Sequence, residues 1–292
     1  MIFSMAIFGS ISIFVRKLPL SSAEIALYRS VIAVFPVGLV LSQKKSREKI
    51  DTVKKKEFLL LIGSGAALGM NWILLFEAYR YTTVSTATLC YYTAPIIVTA
   101  FSFLLFGERL SKLQTLCLLM SALGFFLLTG FSDLQTNGKG IALGLGAAVF
   151  YALVILLNKR ITGISGLRRT FLQMIAACTV LFPYVAFSEG FHLNKMDFSS
   201  WITLMIVGLV HTALAYCLYF TAIGGLKGQQ IAILSYTDPL IAILISVFVL
   251  LEKMTFLQIA GGVLILIFSL LNEWSAQCSS ETVFVHQTKY GE

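Results

Sequence analysis

The sequence predicts an all-α integral membrane protein, and three observations lead to this fold class. Of the 292 residues, 58% are hydrophobic and only 12% are charged, whereas about 25% of the residues of a soluble domain are charged. The apolar residues gather into ten runs, and the second half of the chain repeats the first. So few charges cannot cover a soluble surface, which argues against a soluble enzyme, a disordered chain and a disulfide scaffold.

Charged or turn-rich breaks separate the ten apolar runs, and each run is predicted to be a transmembrane helix. A helix rises about 1.5 Å per residue, so a membrane core of about 30 Å takes around 20 residues. The first run is short, and Arg16 and Lys17 at its end can extend their charges outward. The predicted segments are 2–18, 21–42, 58–80, 83–106, 113–131, 140–158, 168–188, 201–222, 229–251 and 255–272.

The basic residues predict the orientation of these segments. Of the 22 Lys and Arg residues, 15 lie in the even-numbered breaks or the C-terminal tail, and six lie in the odd-numbered breaks. Cytoplasmic loops are enriched in Lys and Arg, so we expect both termini in the cytoplasm. The net charge of +8 then requires no nucleic-acid partner.

The repeat is visible in matched residues. Tyr91–Pro95 matches Ser235–Pro239 at an offset of 144 residues. Other pairs, at offsets of 144 or 142, are Trp72 with Tyr216, Ala78 with Ala222, Glu108 with Glu252, Gln114 with Gln258, Phe8 with Phe150 and Lys17 with Lys159.

These matches divide the chain into three parts. We predict a first five-helix repeat over 1–136, a second over 137–272, and a polar, disordered tail over 273–292. Each repeat has an odd number of crossings, so the second must be inverted relative to the first. Inverted repeats are the architecture of many secondary transporters. The alternative is a duplication that serves only to build a stable bundle.

Several residues within the segments are candidates for substrate binding. Asp238 would be costly at mid-membrane unless it binds a substrate amine, pairs with a cation or carries a proton. Tyr92 and Tyr236 are repeat counterparts, as are Trp72 and Tyr216, and such aromatic walls suit amphipathic metabolites. Hydrogen bonding between helices is the alternative role for these side chains.

Other predicted roles concern movement and charge pairing. Pro95 and Pro239 are predicted to kink their helices and to serve as hinges. Arg29 and Glu77 have similar depths, so an ion pair between them is predicted as a clamp or outer gate. His211 is a further candidate for substrate contact, because histidine titrates near neutral pH; a packing role is the alternative.

A set of short motifs recurs in order along the chain: Phe8-Gly9-Ser10, Lys17, Arg29, Ala78-Tyr79-Arg80-Tyr81-Thr82, Ala94-Pro95, Gly107-Glu108, Asp238-Pro239 and Glu252. In these residues the two copies resemble the EamA-type branch of the drug/metabolite transporter superfamily, over nearly the whole chain. The resemblance implies ten helices in inverted five-helix repeats and a central substrate cavity. It also implies transport of amino acids, related metabolites, amines or drugs, often outward. Phe8 stands where the family often has Trp, and Asp238 where it often has Glu.

The function predicted is secondary transport of an amino acid or related metabolite across the cytoplasmic membrane, as export by alternating access. Alternatives are a channel or facilitator without ion coupling and, less favoured, a lipid-modifying membrane enzyme. The sequence contains no Walker loop and no motif of a metalloprotease or serine hydrolase, so we predict no enzyme, cofactor or metal site. Expected partners are a small-molecule substrate and the lipid bilayer. Proton coupling through Asp238 or Glu77 is a secondary hypothesis, and both a monomer and a homodimer fit.

Overall fold

The computed structural model describes residues 1–43, 55–106, 110–129, 131–161, 164, 166–188, 190–223, 225–226 and 228–289. The chain is helical, and no strand occurs within these ranges. The helices are α1 (Ile2–Gly9), α2 (Ile11–Val15), α3 (Ser22–Gln43), α4 (Lys55–Tyr81), α5 (Val84–Tyr91), α6 (Ala94–Phe106), α7 (Lys112–Thr129), α8 (Phe131–Asn158), α9 (Gly166–Ser188), α10 (Phe198–Gly208), α11 (Ala215–Ile223), α12 (Gly228–Ser235), α13 (Thr237–Leu244) and α14 (Phe256–Lys289). Two π-helical stretches, Leu209–Leu214 and Ile245–Val249, follow α10 and α13, and a 3₁₀ turn, Leu193–Lys195, precedes α10.

Eight helices in the described part of the chain are long and apolar enough to cross a membrane. Two shorter apolar helical segments, Ile2–Val15 and Ile233–Val249, accompany them. Large apolar side chains face outward on these helices: Phe35 is 74% exposed and Phe187 is 92% exposed. An outward apolar surface of this kind suits lipid rather than water. The prediction of an all-α membrane protein is therefore confirmed, and each predicted segment overlaps one of these helical regions.

Predicted segments four and nine are both interrupted at matching positions. The chain leaves the α-helix at Tyr92 between α5 and α6, and at Tyr236 between α12 and α13. The backbone angles are nearly the same, with φ −74° and ψ 5° at Tyr92 and φ −72° and ψ −4° at Tyr236. Pro95 and Pro239 lie in the first turn of the helix that follows, where a missing N–H needs no partner. The predicted kinks are thus breaks in the helices.

Helices approach closely where glycine stands at the contact. Gly124 of α7 faces Gly261 of α14, and a Cβ on Gly261 would lie 2.5 Å from the Gly124 carbonyl oxygen. Gly65 of α4 leaves similar room for α9, since a Cβ there would lie 2.7 Å from the Gln173 carbonyl oxygen. Small residues let backbones approach, which is how helices associate where water provides no driving force.

Two helices run through boundaries that the sequence analysis predicted. The predicted repeat boundary, between residues 136 and 137, lies inside α8. α14 continues beyond residue 272 to Lys289, so the segment predicted to be a disordered tail is helical over 273–289. A helix already formed extends easily because each added residue gains a hydrogen bond without new nucleation. No Gly or Pro occurs between 273 and 289 to end it.

Candidate binding cavity

The two helix breaks lie beside a cavity of about 620 Å³. Side chains from α1, α3, α4, α8, α9, α11, α14 and both interrupted helices line it. Its volume falls within the range of about 300–1,000 Å³ that small-molecule sites occupy. Five predicted substrate-binding residues line it together: Trp72, Tyr92, Tyr216, Tyr236 and Asp238. They come from both halves of the chain.

The Asp238 carboxylate lies where the two interrupted helices meet. The Tyr92 hydroxyl donates to Asp238 Oδ2 at 2.8 Å, and the Tyr92 and Tyr236 ring centroids are 5.8 Å apart. Gly9 of α1 makes room for this part of α13, because a Cβ there would overlap the Asp238 carbonyl oxygen. An ionised carboxylate accepts about four hydrogen bonds. Asp238 therefore has capacity for a further donor from the cavity.

Aromatic rings form much of the remaining wall. The Phe8 and Tyr216 ring centroids are 5.0 Å apart, and those of Tyr91 and Tyr151 are 5.2 Å apart. Sequence reasoning missed Tyr151, whose repeat counterpart at the offset of 142 is the small residue Gly9. The wall thus presents ring faces and hydroxyl groups, which can hold an apolar or cationic part of a solute.

Arg29 brings a buried positive charge to the cavity. Its side chain lines the wall, and the residue is 3% exposed. Arg29 Nε donates to Thr212 Oγ1 at 3.0 Å. The guanidinium lies 4.6 Å from the Trp72 ring centroid and 5.3 Å from that of Phe76. The electron-rich ring faces stabilise the cation. Among the described residues its terminal nitrogens have no hydrogen-bond partner, so they can bind an anionic group in the cavity.

The predicted ion pair between Arg29 and Glu77 is not found among the described contacts. Glu77 accepts a hydrogen bond of 2.5 Å from the Ser22 hydroxyl, and its carboxylate lies 3.9 Å from Arg80 Nη1, three residues later on α4. Similar depth placed the two residues together in the prediction. Depth does not determine the direction in which a side chain leaves its helix, and Arg29 is stabilised by rings and a hydroxyl instead.

His211 is also placed differently from the prediction. It is 3% exposed and is not among the residues that line the cavity. Its Nε2 lies 3.1 Å from Ser10 Oγ, and its ring centroid is 4.6 Å from that of Phe14. His211 belongs to the π-helical stretch Leu209–Leu214, which rotates later residues relative to a regular α-helix. The packing role, given as the alternative, fits these contacts.

Sequence reasoning missed Glu273, which lines the cavity from α14. The preceding residue, Asn272, fixes this part of α14 against α6. Its Nδ2 donates to Thr99 Oγ1 at 2.6 Å and to the Pro95 carbonyl at 3.3 Å. Glu273 was assigned to the tail because the apolar run ends at 272, and only the continuation of α14 places it in the bundle.

Hydrogen bonds from Arg16 join the chain segments at one end of the cavity, called here the Arg16 end. Arg16 donates to the carbonyl oxygens of Tyr79 and Thr82, both at 2.9 Å. It also lies 2.5 Å from Glu252 Oε1. Tyr79 lines the cavity, whereas Arg16, Thr82 and Glu252 do not. These bonds therefore join α2, α4 and the segment after α13 directly above the cavity.

Glu252 is the centre of these contacts. Its Oε2 accepts from the Val84 N–H at 2.8 Å and from the Ser246 hydroxyl. The chain turns back at Leu251, which has a left-handed φ of 54°, so that the Glu252 N–H bonds the Ser246 carbonyl at 2.9 Å. Glu252 therefore anchors the segment after α13 to the end of α2 and the start of α5. Its repeat counterpart, Glu108, lies outside the described residues.

At the opposite end, called here the Asn158 end, the cavity extends as far as the ends of the helices that line it. Asn158 is the last residue of α8, and Gly166 is the first of α9; both line the cavity. Gln173 Nε2 donates to Asn158 Oδ1 and to Ser64 Oγ, each at 2.8 Å. Arg169 Nη2 donates to the Ile161 carbonyl at 2.9 Å. Polar groups surround this end and bond mainly to one another.

Comparison of the sequence with known protein families gives a match over both halves of the chain. The EamA-like transporter family matches residues 1–130 and again residues 138–273. The chain belongs to the EamA-like transporter family. One solved crystal structure has a TM-score of 0.61 at 16% identity, covers 92% of this chain and 94% of its own, and supports the fold.

Curated relatives are consistent with the EamA assignment. The uncharacterized transporter YxxF of Bacillus subtilis is 30% identical over 249 residues, which are 84% of this chain and 79% of that protein. Protein RarD of Escherichia coli is 23% identical and matches 77% of this chain and 75% of its own length. Protein PecM of Dickeya dadantii is 23% identical, with 83% and 81% covered. The family and these names point to a multi-pass membrane transporter rather than an enzyme.

Proposed function

We propose that this EamA-family protein is a secondary transporter that exports an amino acid or closely related metabolite across the cytoplasmic membrane by alternating access. One observation carries the proposal: the cavity has a guanidinium, Arg29, and a carboxylate, Asp238, on aromatic walls. An amino acid has the complementary pair of charges, a carboxylate and an ammonium group. Charges are costly within a membrane unless they are paired, so this combination favours a zwitterionic solute.

Tyrosine rings lie in the same cavity as the two charges. Tyr91 and Tyr216 line it together with Arg29 and Asp238. In the proposed complex, Arg29 binds the substrate carboxylate, and Asp238 accepts from the ammonium group while it keeps the bond from Tyr92. The tyrosine rings then contact the carbon atoms of the substrate.

Helix packing supports the proposed pair of repeats, with 1–136 and 137–272 as counterparts. α3 packs on α9 and α7 on α14, so segments two and five each contact their own counterpart. α6 packs on α8, just as α13 packs on α1. α4 packs on α9, just as the π-helical stretch Leu209–Leu214 packs on α3. This pattern is unchanged when the two halves are exchanged, as expected for inverted repeats.

The proposed topology has ten crossings with both termini in the cytoplasm. The Arg16 end of the cavity then lies outside and the Asn158 end lies inside. With the Arg16 end closed, the cavity faces the cytoplasm, which is the side from which an exporter loads. Pro95 and Pro239 are proposed hinges because each stands just after a helix break that borders the cavity.

Counterflow in proteoliposomes tests the proposal. We expect unlabelled amino acid trapped inside the vesicles to accelerate uptake of labelled amino acid, because a carrier must return its binding site. Asp238→Asn should reduce this uptake at least about tenfold, since it removes the charge that pairs with the ammonium group. Asp197→Asn is a matched control: Asp197 caps α10 outside the cavity, and Asn is an equally good N-cap.

The same assay contains results that contradict the proposal. Uptake without acceleration indicates a channel, and the absence of uptake for every amino acid removes the proposed substrate class. Proton coupling through Asp238 is a secondary proposal. It is contradicted if the uptake rate does not change with a pH gradient and uptake persists in the Asp238→Asn variant. Glu77, the other candidate for this coupling, accepts from Ser22 and lies 3.9 Å from Arg80 Nη1, so Asp238 is the residue that we favour.

A further inference from the structure

Glu273 differs from the other carboxylates whose side chains the structure describes. Asp238 accepts from Tyr92, and Glu252 pairs with Arg16. Glu24 accepts from the His192 N–H at 2.6 Å, and Glu77 from Ser22. Within the described residues, Glu273 has neither a hydrogen bond nor an ion pair, although it lines the cavity. A carboxylate at membrane depth without a protein partner is a functional site unless some other group completes it.

The surroundings of Glu273 favour a cation. The rings of Tyr151, Tyr219 and Tyr236 line the same cavity as Glu273, and so does Asp238. The two carboxylates therefore share one cavity with aromatic walls. Ring faces next to carboxylates attract ammonium and guanidinium groups, because the charge and the ring quadrupole act in the same sense.

Four charged side chains line the cavity, the cationic Arg29 and Arg169 and the anionic Asp238 and Glu273. Of these, the Arg169 guanidinium bonds the carbonyls of Asn158, Ile161 and Ile164 after the end of α8, where the helix dipole favours a positive charge. Arg29, Asp238 and Glu273 remain to face the solute. A neutral amino acid satisfies the first two and leaves Glu273 alone.

We propose that Glu273 binds a second positive group of the substrate, so that the transported solute is a basic amino acid. This inference rests on the proposed function, since it keeps Arg29 for the carboxylate and Asp238 for the α-ammonium group. Glu273 then pairs with the side-chain ammonium or guanidinium group, with Tyr151 and Tyr219 beside it. The three charges of the substrate match the three charges of the wall.

Binding to the purified protein in lipid nanodiscs tests the inference. L-lysine and L-norleucine have side chains of similar length, and only lysine carries the terminal ammonium group. We expect lysine to bind roughly tenfold more tightly or better, as for a desolvated charge pair. Glu273→Gln should abolish this preference by weakening lysine alone, and Glu273→Asp should restore part of it. Glu57→Gln, the same change at the start of α4 and outside the cavity, should leave the preference intact.

Several outcomes overturn the inference. Equal binding of lysine and norleucine by the native protein does so, as does a preference that survives Glu273→Gln. Either result leaves the proposed amino-acid transport standing, because norleucine still binds. Failure of both ligands to bind overturns the inference and the proposed function together. The native comparison needs no variant, so a misfolded Glu273→Gln protein does not prevent a decision.

Discussion

The two ends of the cavity are built from repeat counterparts, yet one is closed by charge and the other is not. At the offset of 142 residues Arg16 corresponds to Asn158, and at 144 Ser246 corresponds to Ser102. Arg16 bonds two carbonyls and Glu252, whereas Asn158 accepts from Gln173. Arginine has five donors in a rigid fork, and asparagine has two. The difference shows how a duplicated architecture can prefer one closed end through a few substituted side chains.

Among the variants that distinguish the two ends, one that lacks the Glu252 carboxylate should show the largest change in access to the cavity. Glu252→Ala takes away the acceptor of Arg16, the Val84 N–H and the Ser246 hydroxyl, so we expect the Arg16 end to open. The loss of charge-assisted bonds of about 1.5–3 kcal/mol each should raise access to the cavity about tenfold or more. The measurement is the labelling rate of Thr88→Cys, which lines the cavity near this end, by a membrane-impermeant maleimide.

The labelling experiment needs two precautions. The five native cysteines are replaced by alanine, so that only the introduced thiol reacts. Reagent is added from the side that the proposed topology places outside. Unchanged labelling in Glu252→Ala would show that the Arg16 network does not hold this end closed. A rate that rises equally from both sides would indicate general loosening of the bundle.

Gly9→Ala should have an intermediate effect, by loosening the contact between α1 and α13 near the Arg16 end. Gly9 lies on α1, and its neighbours across the contact are the Asp238 carbonyl and Ile241 of α13. An added methyl group has no room there and should separate the helices that lead to Arg16 and Glu252. Overpacking of this kind costs about 1–3 kcal/mol, which thermal unfolding in detergent would report as a lower Tm.

Gly63→Ala provides the control for the steric argument. A Cβ at Gly63 would lie 3.8 Å from the nearest atom, Leu157 Cδ1, which is ordinary contact. In that helix, Ala is favoured over Gly by about 1 kcal/mol, so the Tm should stay the same or rise. A Gly9→Ala protein as stable as Gly63→Ala would contradict the tight contact between α1 and α13.

The positions of the helices and several residues of the cavity could be predicted from the sequence, because the relevant signals are local. Helix positions follow from apolar length, and the offsets of the repeat identify Tyr92 with Tyr236 and place Asp238 near both. The partner of Arg29 could not be predicted, since depth along a helix does not give the direction of the side chain. Glu273 was missed because a polar residue after an apolar run resembles a tail. The π-helical stretch around His211 changes the helical period that the sequence pattern assumes.

Ser246→Ala and Ser102→Ala form the mildest and most closely matched test of the two ends. Ser246 bonds Glu252 and, at 3.0 Å, Ser85 Oγ; Ser102 accepts from Lys159 Nζ at 3.3 Å. One hydroxyl contributes about 0.5–1.5 kcal/mol, with more for a charged partner. We expect Ser246→Ala to raise maleimide labelling of Thr88→Cys a few-fold and Ser102→Ala to leave it unchanged. Equal effects would mean that the charge on Glu252 is not what distinguishes the Arg16 end from its repeat counterpart.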